Sequence, residues 1–95
     1  MDKLLKKIKV SLRVSTAVFD DEITDLINAC IADLGIAGVV NMGTEDPIII
    51  RAVTTYCRLN FGEPSEPERL KKSYDEQKAQ LQMADGYTNW ENGNG

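Results

Sequence analysis

The chain has 95 residues, 42% of them hydrophobic, and a formal net charge of −4, which suits one small domain that is marginally stable alone. The acidic balance disfavours a general nucleic-acid binder, because such proteins neutralise phosphates with positive charge. The sequence has no histidine, which removes His-ligated metal sites and nucleophile–histidine pairs. Composition therefore indicates a domain without enzymatic chemistry, metal or other cofactor.

The first predicted helix, over about residues 2–13, is basic. One face carries apolar residues at helical spacing: Leu4, Leu5, Ile8 and Leu12. The rest of the helix holds five basic residues, which give a local charge of +4 with one acidic residue: Lys3, Lys6, Lys7, Lys9 and Arg13. Such a run is commonly a solvated helix face, and its alternative role is a contact with DNA backbone or an acidic neighbouring subunit.

The second predicted helix follows a loop over residues 14–19 and has the clearest amphipathic pattern. Its apolar stripe occupies one helix face: Ile23, Leu26, Ile27, Cys30, Ile31 and Leu34. Asp20, Asp21 and Glu22 crowd the first turn, where we interpret them as caps of free N–H groups rather than as a metal or acid–base site. Gly35 is predicted as a left-handed C-cap.

A loop over residues 36–45 leads to the third predicted helix, with Asp46 as N-cap and Pro47 in its first turn. The run from Ile48 to Phe61 carries only two charged residues, which predicts a central helix that packs on more than one side. Three consecutive isoleucines favour a strand locally. The proline start, the length and the stop at Gly62 favour a helix.

The fourth predicted helix begins after Ser65, which forms a capping-box pattern with Glu68. Its apolar stripe is thin, with Leu70, Tyr74 and Leu81 among many polar residues. We therefore expect a peripheral helix, or one that a partner completes.

The residues from Gly86 onward are polar except for Tyr87 and Trp90, and they predict a flexible tail. We accordingly divide the chain into a helical domain over 1–84 and a flexible C-terminal tail over 85–95. Exposed aromatic residues on such tails often anchor a partner, although Trp90 could equally pack back onto the bundle.

Cys30 and Cys57 lie in apolar runs, and we interpret them as two reduced core thiols, with a disulfide as the alternative.

Residues 14–46 contain seven acidic and no basic side chains, in contrast to the basic first helix. Unlike charges suit head-to-tail association of identical subunits. Pairing of the two charged regions within one subunit is an equally open reading.

The order of these signals resembles the head–tail connector proteins of tailed bacteriophages, also called head-completion or DNA-packaging connector proteins, and their prophage copies. The resemblance covers about residues 2–83. It rests on the basic helix ending Leu12-Arg13-Val14, the acidic start of the second helix, the third helix from Asp46-Pro47 to Asn60-Phe61-Gly62, and the charged helix that follows.

The predicted elements and the resemblance together give an all-α fold, a small single-domain bundle of four to five short helices. The resemblance implies association rather than catalysis: a homo-oligomeric ring of about twelve subunits beneath the portal protein. The ring would join the DNA-filled head to a downstream head-completion or tail protein and help retain packaged DNA. DNA would pass through without sequence-specific binding, and no membrane would be involved. The implied location is the virion neck at the head–tail junction. Before assembly, the subunits would lie in the bacterial host cytoplasm.

In such a ring the basic first helix would contact a neighbouring subunit or line the DNA channel. The fourth helix and tail would contact the adjoining ring through Leu70, Tyr74, Leu81, Tyr87 and Trp90. The main alternative is a small helical DNA-binding regulator of the helix-turn-helix type. It fits less well, because the second helix is acidic and the third nearly all apolar. An enzyme or metal protein and a toxin/antitoxin-like oligomer are further alternatives.

Overall fold

A computed structural model describes residues 2–40, 43 and 45–88, and these form one all-α domain. Five helices follow in chain order: α1 (Asp2–Leu12), α2 (Asp20–Ile36), α3 (Pro47–Asn60), α4 (Pro67–Met83) and α5 (Asp85–Thr88). No strand occurs within these described residues. The all-α prediction is confirmed, including the helix over the three isoleucines.

Helix α3 lies at the centre of the bundle and packs against α1, α2 and α4. Its start is fixed by Asp46, whose Oδ1 accepts the N–H of Ile48 at 2.9 Å, and by Pro47 in the first turn, where a missing N–H costs nothing. Ala52 and Val53 are fully buried. The prediction of a central helix packed on more than one side is confirmed.

The core is one apolar cluster to which the four long helices all contribute. The stripe predicted for α2 is confirmed, with Ile23, Ile27, Cys30 and Leu34 fully buried and Leu26 and Ile31 partly buried against the cluster. The other helices and the α2–α3 loop supply the remaining members: Leu4, Ile8, Val39, Ile49, Ala52, Val53, Cys57, Tyr74 and Leu81. Burial of each large side chain contributes roughly 1.5–3 kcal/mol.

The predicted C-cap of α2 is wrong, because Gly35 lies inside the helix and Gly38 takes the left-handed conformation with φ of +99°. The N–H of Val39 donates to the carbonyl of Leu34, and the N–H of Gly38 to that of Gly35. These two bonds define a Schellman motif, in which an apolar residue after the glycine packs back on the helix. Val39 and Leu34 are both fully buried.

The predicted side-chain caps of α2 and α4 are also absent. Phe19 is the N-cap residue of α2 and makes no side-chain capping hydrogen bond, so the acidic first turn favours the helix start through the helix dipole rather than as a cap. Helix α4 begins at Pro67 with Glu66 as N-cap and without a capping hydrogen bond. The reason is local, since the residue before a proline is driven out of helical conformation, which moves the start one residue beyond the predicted capping box.

Helix α5 extends the described fold to Thr88, beyond the boundary set after residue 84. Tyr87 is partly buried against the core, its carbonyl accepts the N–H of Val40 at 2.8 Å, and its hydroxyl donates to Asp46 Oδ2 at 2.8 Å. The first part of the predicted tail is therefore folded back onto the loop before α3. Residues 89–95, including Trp90, lie outside the described residues.

Candidate functional site

The basic residues of the first helix divide into two groups. Lys9 is largely buried and contacts Asp20 Oδ1 at 2.7 Å, which ties α1 to the start of α2. Lys3 lies 3.7 Å from Glu45, but both side chains are more than three-quarters exposed, so this pair contributes little. These two contacts show that the unlike charges do pair within one subunit.

The other three basic residues of this segment, Lys6, Lys7 and Arg13, are exposed. None of them has an ion pair with another described residue. Val10 lies on the same side of α1 and is 78% exposed. The outer face of α1 is therefore an accessible basic surface for an acidic or phosphate-bearing partner.

The residues predicted to touch a partner ring have a different placement. Leu70, Tyr74 and Leu81 are all less than one-tenth exposed, because α4 packs along α3 with its thin apolar stripe inward. Tyr87 is engaged with Asp46 and Val40. In the single subunit, these side chains hold the fold together, and the outward surface of α4 is polar apart from Met83 at its end.

A polar network that the sequence analysis did not single out joins α2 to α4. The Tyr74 hydroxyl donates to Asp33 Oδ2 at 2.6 Å, and Lys78 Nζ donates to the same oxygen at 3.2 Å. The Tyr74 hydroxyl also lies 3.7 Å from Cys30 Sγ. The hydrogen bond from Tyr74, with help from Lys78, lowers the pKa of Asp33, whereas burial and Asp33 raise that of Tyr74. The network fixes the register of α4 against α2.

Removing one hydroxyl tests this network. We expect Tyr74→Phe to lower the free energy of unfolding at pH 7 by about 1 kcal/mol, since the lost bond has a charged acceptor that is partly exposed and screened. Because folding lowers the pKa of Asp33, its contribution is complete above the unfolded-state pKa of about 3.9 and is lost as pH falls through the folded pKa. The difference between variant and wild type should shrink over that acidic range in urea titrations followed by circular dichroism.

Tyr56→Phe is the matched control for this prediction. Tyr56 stacks edge-on against Tyr74 with ring centroids 5.2 Å apart, yet its hydroxyl has no hydrogen bond with a described residue. Its removal should leave the pH profile unchanged. Equal acid dependence in the wild type and Tyr74→Phe would contradict the role assigned to the Asp33 hydrogen bond.

Cys30 and Cys57 are both buried and unpaired, which confirms the prediction of two core thiols. Burial raises the pKa of Cys30 to about 11 and that of Cys57 to about 12. Thiols with such pKa values are nearly all protonated at neutral pH and are poor nucleophiles. Their role in this fold is packing.

A concave surface with a volume of about 370 Å³ lies between α3 and α4. Three arginines line it, together with one leucine and several hydroxyl and amide side chains: Arg51, Thr54, Thr55, Arg58, Arg69, Leu70, Ser73 and Gln77. Arg51 and Arg58 are seven residues apart, two turns along one face of α3. That spacing was the only sequence signal for this groove, and its other half comes from α4.

Neither a metal cluster nor a membrane helix is found in the part of the chain that the structure describes. No group of three or more Cys, Asp or Glu side chains there could hold a metal ion. None of the described helices is long and apolar enough to cross a membrane.

Comparison with known protein families identifies the family of this chain. The family model described as phage connector protein matches residues 4–88, which include nearly all of α1 and all of α2 to α5. The chain belongs to the phage connector protein family. Searches of curated proteins and of solved structures found no match. The resemblance stated from the sequence is thereby confirmed at the level of the family, and the protein is a phage connector of all-α fold.

Proposed function

We propose that this connector forms a homo-oligomeric ring of about twelve subunits beneath the portal protein, at the head–tail junction of the virion. The ring joins the DNA-filled head to a downstream head-completion or tail protein and helps to retain packaged DNA. The family match over residues 4–88 carries this proposal. Before assembly, the subunits reside in the cytoplasm of the bacterial host.

The surface of the single subunit supports an assembly role. Several apolar side chains stand far out of the bundle, among them Ile36 at 88%, Met83 at 82% and Ile48 at 43% exposure. The end of α2 is joined to α4 by the amide of Gln82, which donates to the carbonyl of Ala37 at 3.0 Å. These side chains are available for burial against a neighbouring protein in an assembly, which removes apolar surface from water.

The DNA passing through such a ring would meet weak, sequence-independent contacts. The exposed residues Lys6, Lys7 and Arg13 could face either the channel or a neighbouring subunit. A net charge of −4 keeps overall affinity for DNA low, which suits a channel through which DNA must slide.

The direct test is the mass and shape of the particle formed with the portal protein of the same phage. We expect light scattering and negatively stained images to show a ring of connector subunits bound to the portal. A protein that stays monomeric and ignores the portal would refute the proposal. Site-specific binding of duplex DNA in a gel shift at moderate salt would instead indicate a DNA-binding regulator.

Truncation tests the part assigned to the C-terminal residues. A chain that ends at residue 88 retains Tyr87 and its bond to Asp46, so helicity should match that of the full chain. We expect docking to the adjoining ring to weaken. Co-sedimentation with portal and the downstream ring component measures this, and unchanged docking would assign the contact to another surface.

A further inference from the structure

The groove between α3 and α4, called here the arginine groove, combines three guanidinium groups with almost no acidic partner. Arg51 and Arg58 have no ion pair with any described residue, and Arg69 contacts only the exposed Glu66, at 3.1 Å. All three arginines are exposed. A guanidinium group presents a planar fork of donors that matches a carboxylate, so the groove is built to accept acidic side chains.

A buried side chain at the base of the groove supports an occupant. Gln77 is only 8% exposed, lines the groove, and its Oε1 is buried without a hydrogen-bond partner among the described residues. Buried polar atoms nearly always have a hydrogen-bond partner. An unpartnered amide oxygen at this groove therefore favours an occupant that completes its contacts.

The same chain carries a surface of the opposite charge on α2. Asp21, Glu22 and Asp25, called here the acidic face, are exposed and have no ion pair with a described residue. Asp21 and Asp25 are four residues apart and share one side of the helix. The exposed residues that follow on that side are Asn28, Ala29 and Ala32, whose side chains are small enough to permit close approach.

We propose that the arginine groove of one subunit binds the acidic face of a second copy of this chain. The two surfaces are different, so the contact is heterologous and can repeat from subunit to subunit until a ring closes. This inference rests on the proposed ring and names the contact between its subunits. Protein carboxylates fit the groove better than DNA phosphate, because the chain itself supplies the acidic surface and its net charge repels DNA.

The test uses two full-length charge-reversal variants. The groove variant carries Arg51→Glu and Arg58→Glu, and the face variant carries Asp21→Arg and Asp25→Arg. Each alone should weaken self-association, measured by analytical ultracentrifugation with and without portal, by at least about tenfold, as expected for lost charge pairs. A mixture of the two should assemble again, because each altered surface then meets a complementary one.

A third charge-reversal variant is the control for this test. Lys71→Glu with Lys72→Glu makes the same change in net charge as the groove variant, but on the outer face of α4, and should leave assembly unchanged. Circular dichroism should show that every variant is folded.

Wild-type-like assembly of the groove or face variant, or failure of the mixture to assemble, would overturn this contact while leaving the ring intact. Wild type that never assembles, even on portal, would overturn both. Duplex DNA binding lost specifically in the groove variant would assign the groove to phosphate instead.

Discussion

Replacing Ile27 by alanine is expected to lower the free energy of unfolding by about 2–5 kcal/mol. Ile27 is fully buried in α2 and belongs to the single core cluster. Truncation both removes apolar contact and leaves a cavity that a packed core fills only partly. A small domain is stable by only about 5–15 kcal/mol, so this one change should shift urea unfolding followed by circular dichroism by a large fraction of the total.

Ile36→Ala is the matched control, because it makes the same chemical change in the same helix. Ile36 is 88% exposed, and surface substitutions of this kind usually alter stability by less than about 0.5 kcal/mol. Comparable losses in the two variants would contradict the position assigned to the core face of α2. The two substitutions could rank differently in their effect on association into a ring. Ile36 is available to a neighbouring subunit, whereas Ile27 is not.

The second large effect concerns the thiols. We expect Cys30 and Cys57 in the folded protein to react with a thiol reagent at neutral pH at least about a hundredfold more slowly than an exposed cysteine. Their pKa values are raised by burial to about 11 and about 12, and reagent reaches them only when the structure opens. Mass spectrometry of timed samples gives the rate for each residue.

The control for this experiment is an Ala29→Cys variant, which places a thiol at an exposed position next to Cys30. The new thiol should react at once, whereas the native pair should react quickly only in urea. Labelling of Cys30 or Cys57 at the rate of the new thiol would mean that the native thiols are accessible. A disulfide would instead block both, even in urea, until a reductant is added.

The sequence predicted the helices well where a long periodic pattern coincided with a strong boundary signal. The stripe from Ile23 to Leu34 and the pair Asp46-Pro47 are examples, because spacing and capping there agree. The helix ends were harder. Gly35 was predicted as the left-handed cap because it directly follows the apolar stripe. The cap falls at Gly38 instead, because the apolar residue after it, Val39, can pack back against Leu34 in a Schellman motif.

The candidate site was less predictable, because its parts come from distant positions. Asp33 and Tyr74 are 41 residues apart in sequence, and Arg69 meets Arg51 and Arg58 only when α4 folds along α3. The thin stripe on α4 predicted a peripheral helix or one that a partner completes. It is sufficient to bury Leu70 and Leu81 within one subunit, because a peripheral helix has only one face to cover.

The carboxylate of Asp46 links the start of α3 to the last described residues of the chain. One of its oxygens caps α3 through Ile48, and the other accepts the Tyr87 hydroxyl, while the carbonyl of Tyr87 accepts the N–H of Val40. Tension applied to the last residues would therefore load two hydrogen bonds to the loop before α3. Because the Tyr87 ring also packs against the core, such a pull would reach the loop before α3 and the bundle together.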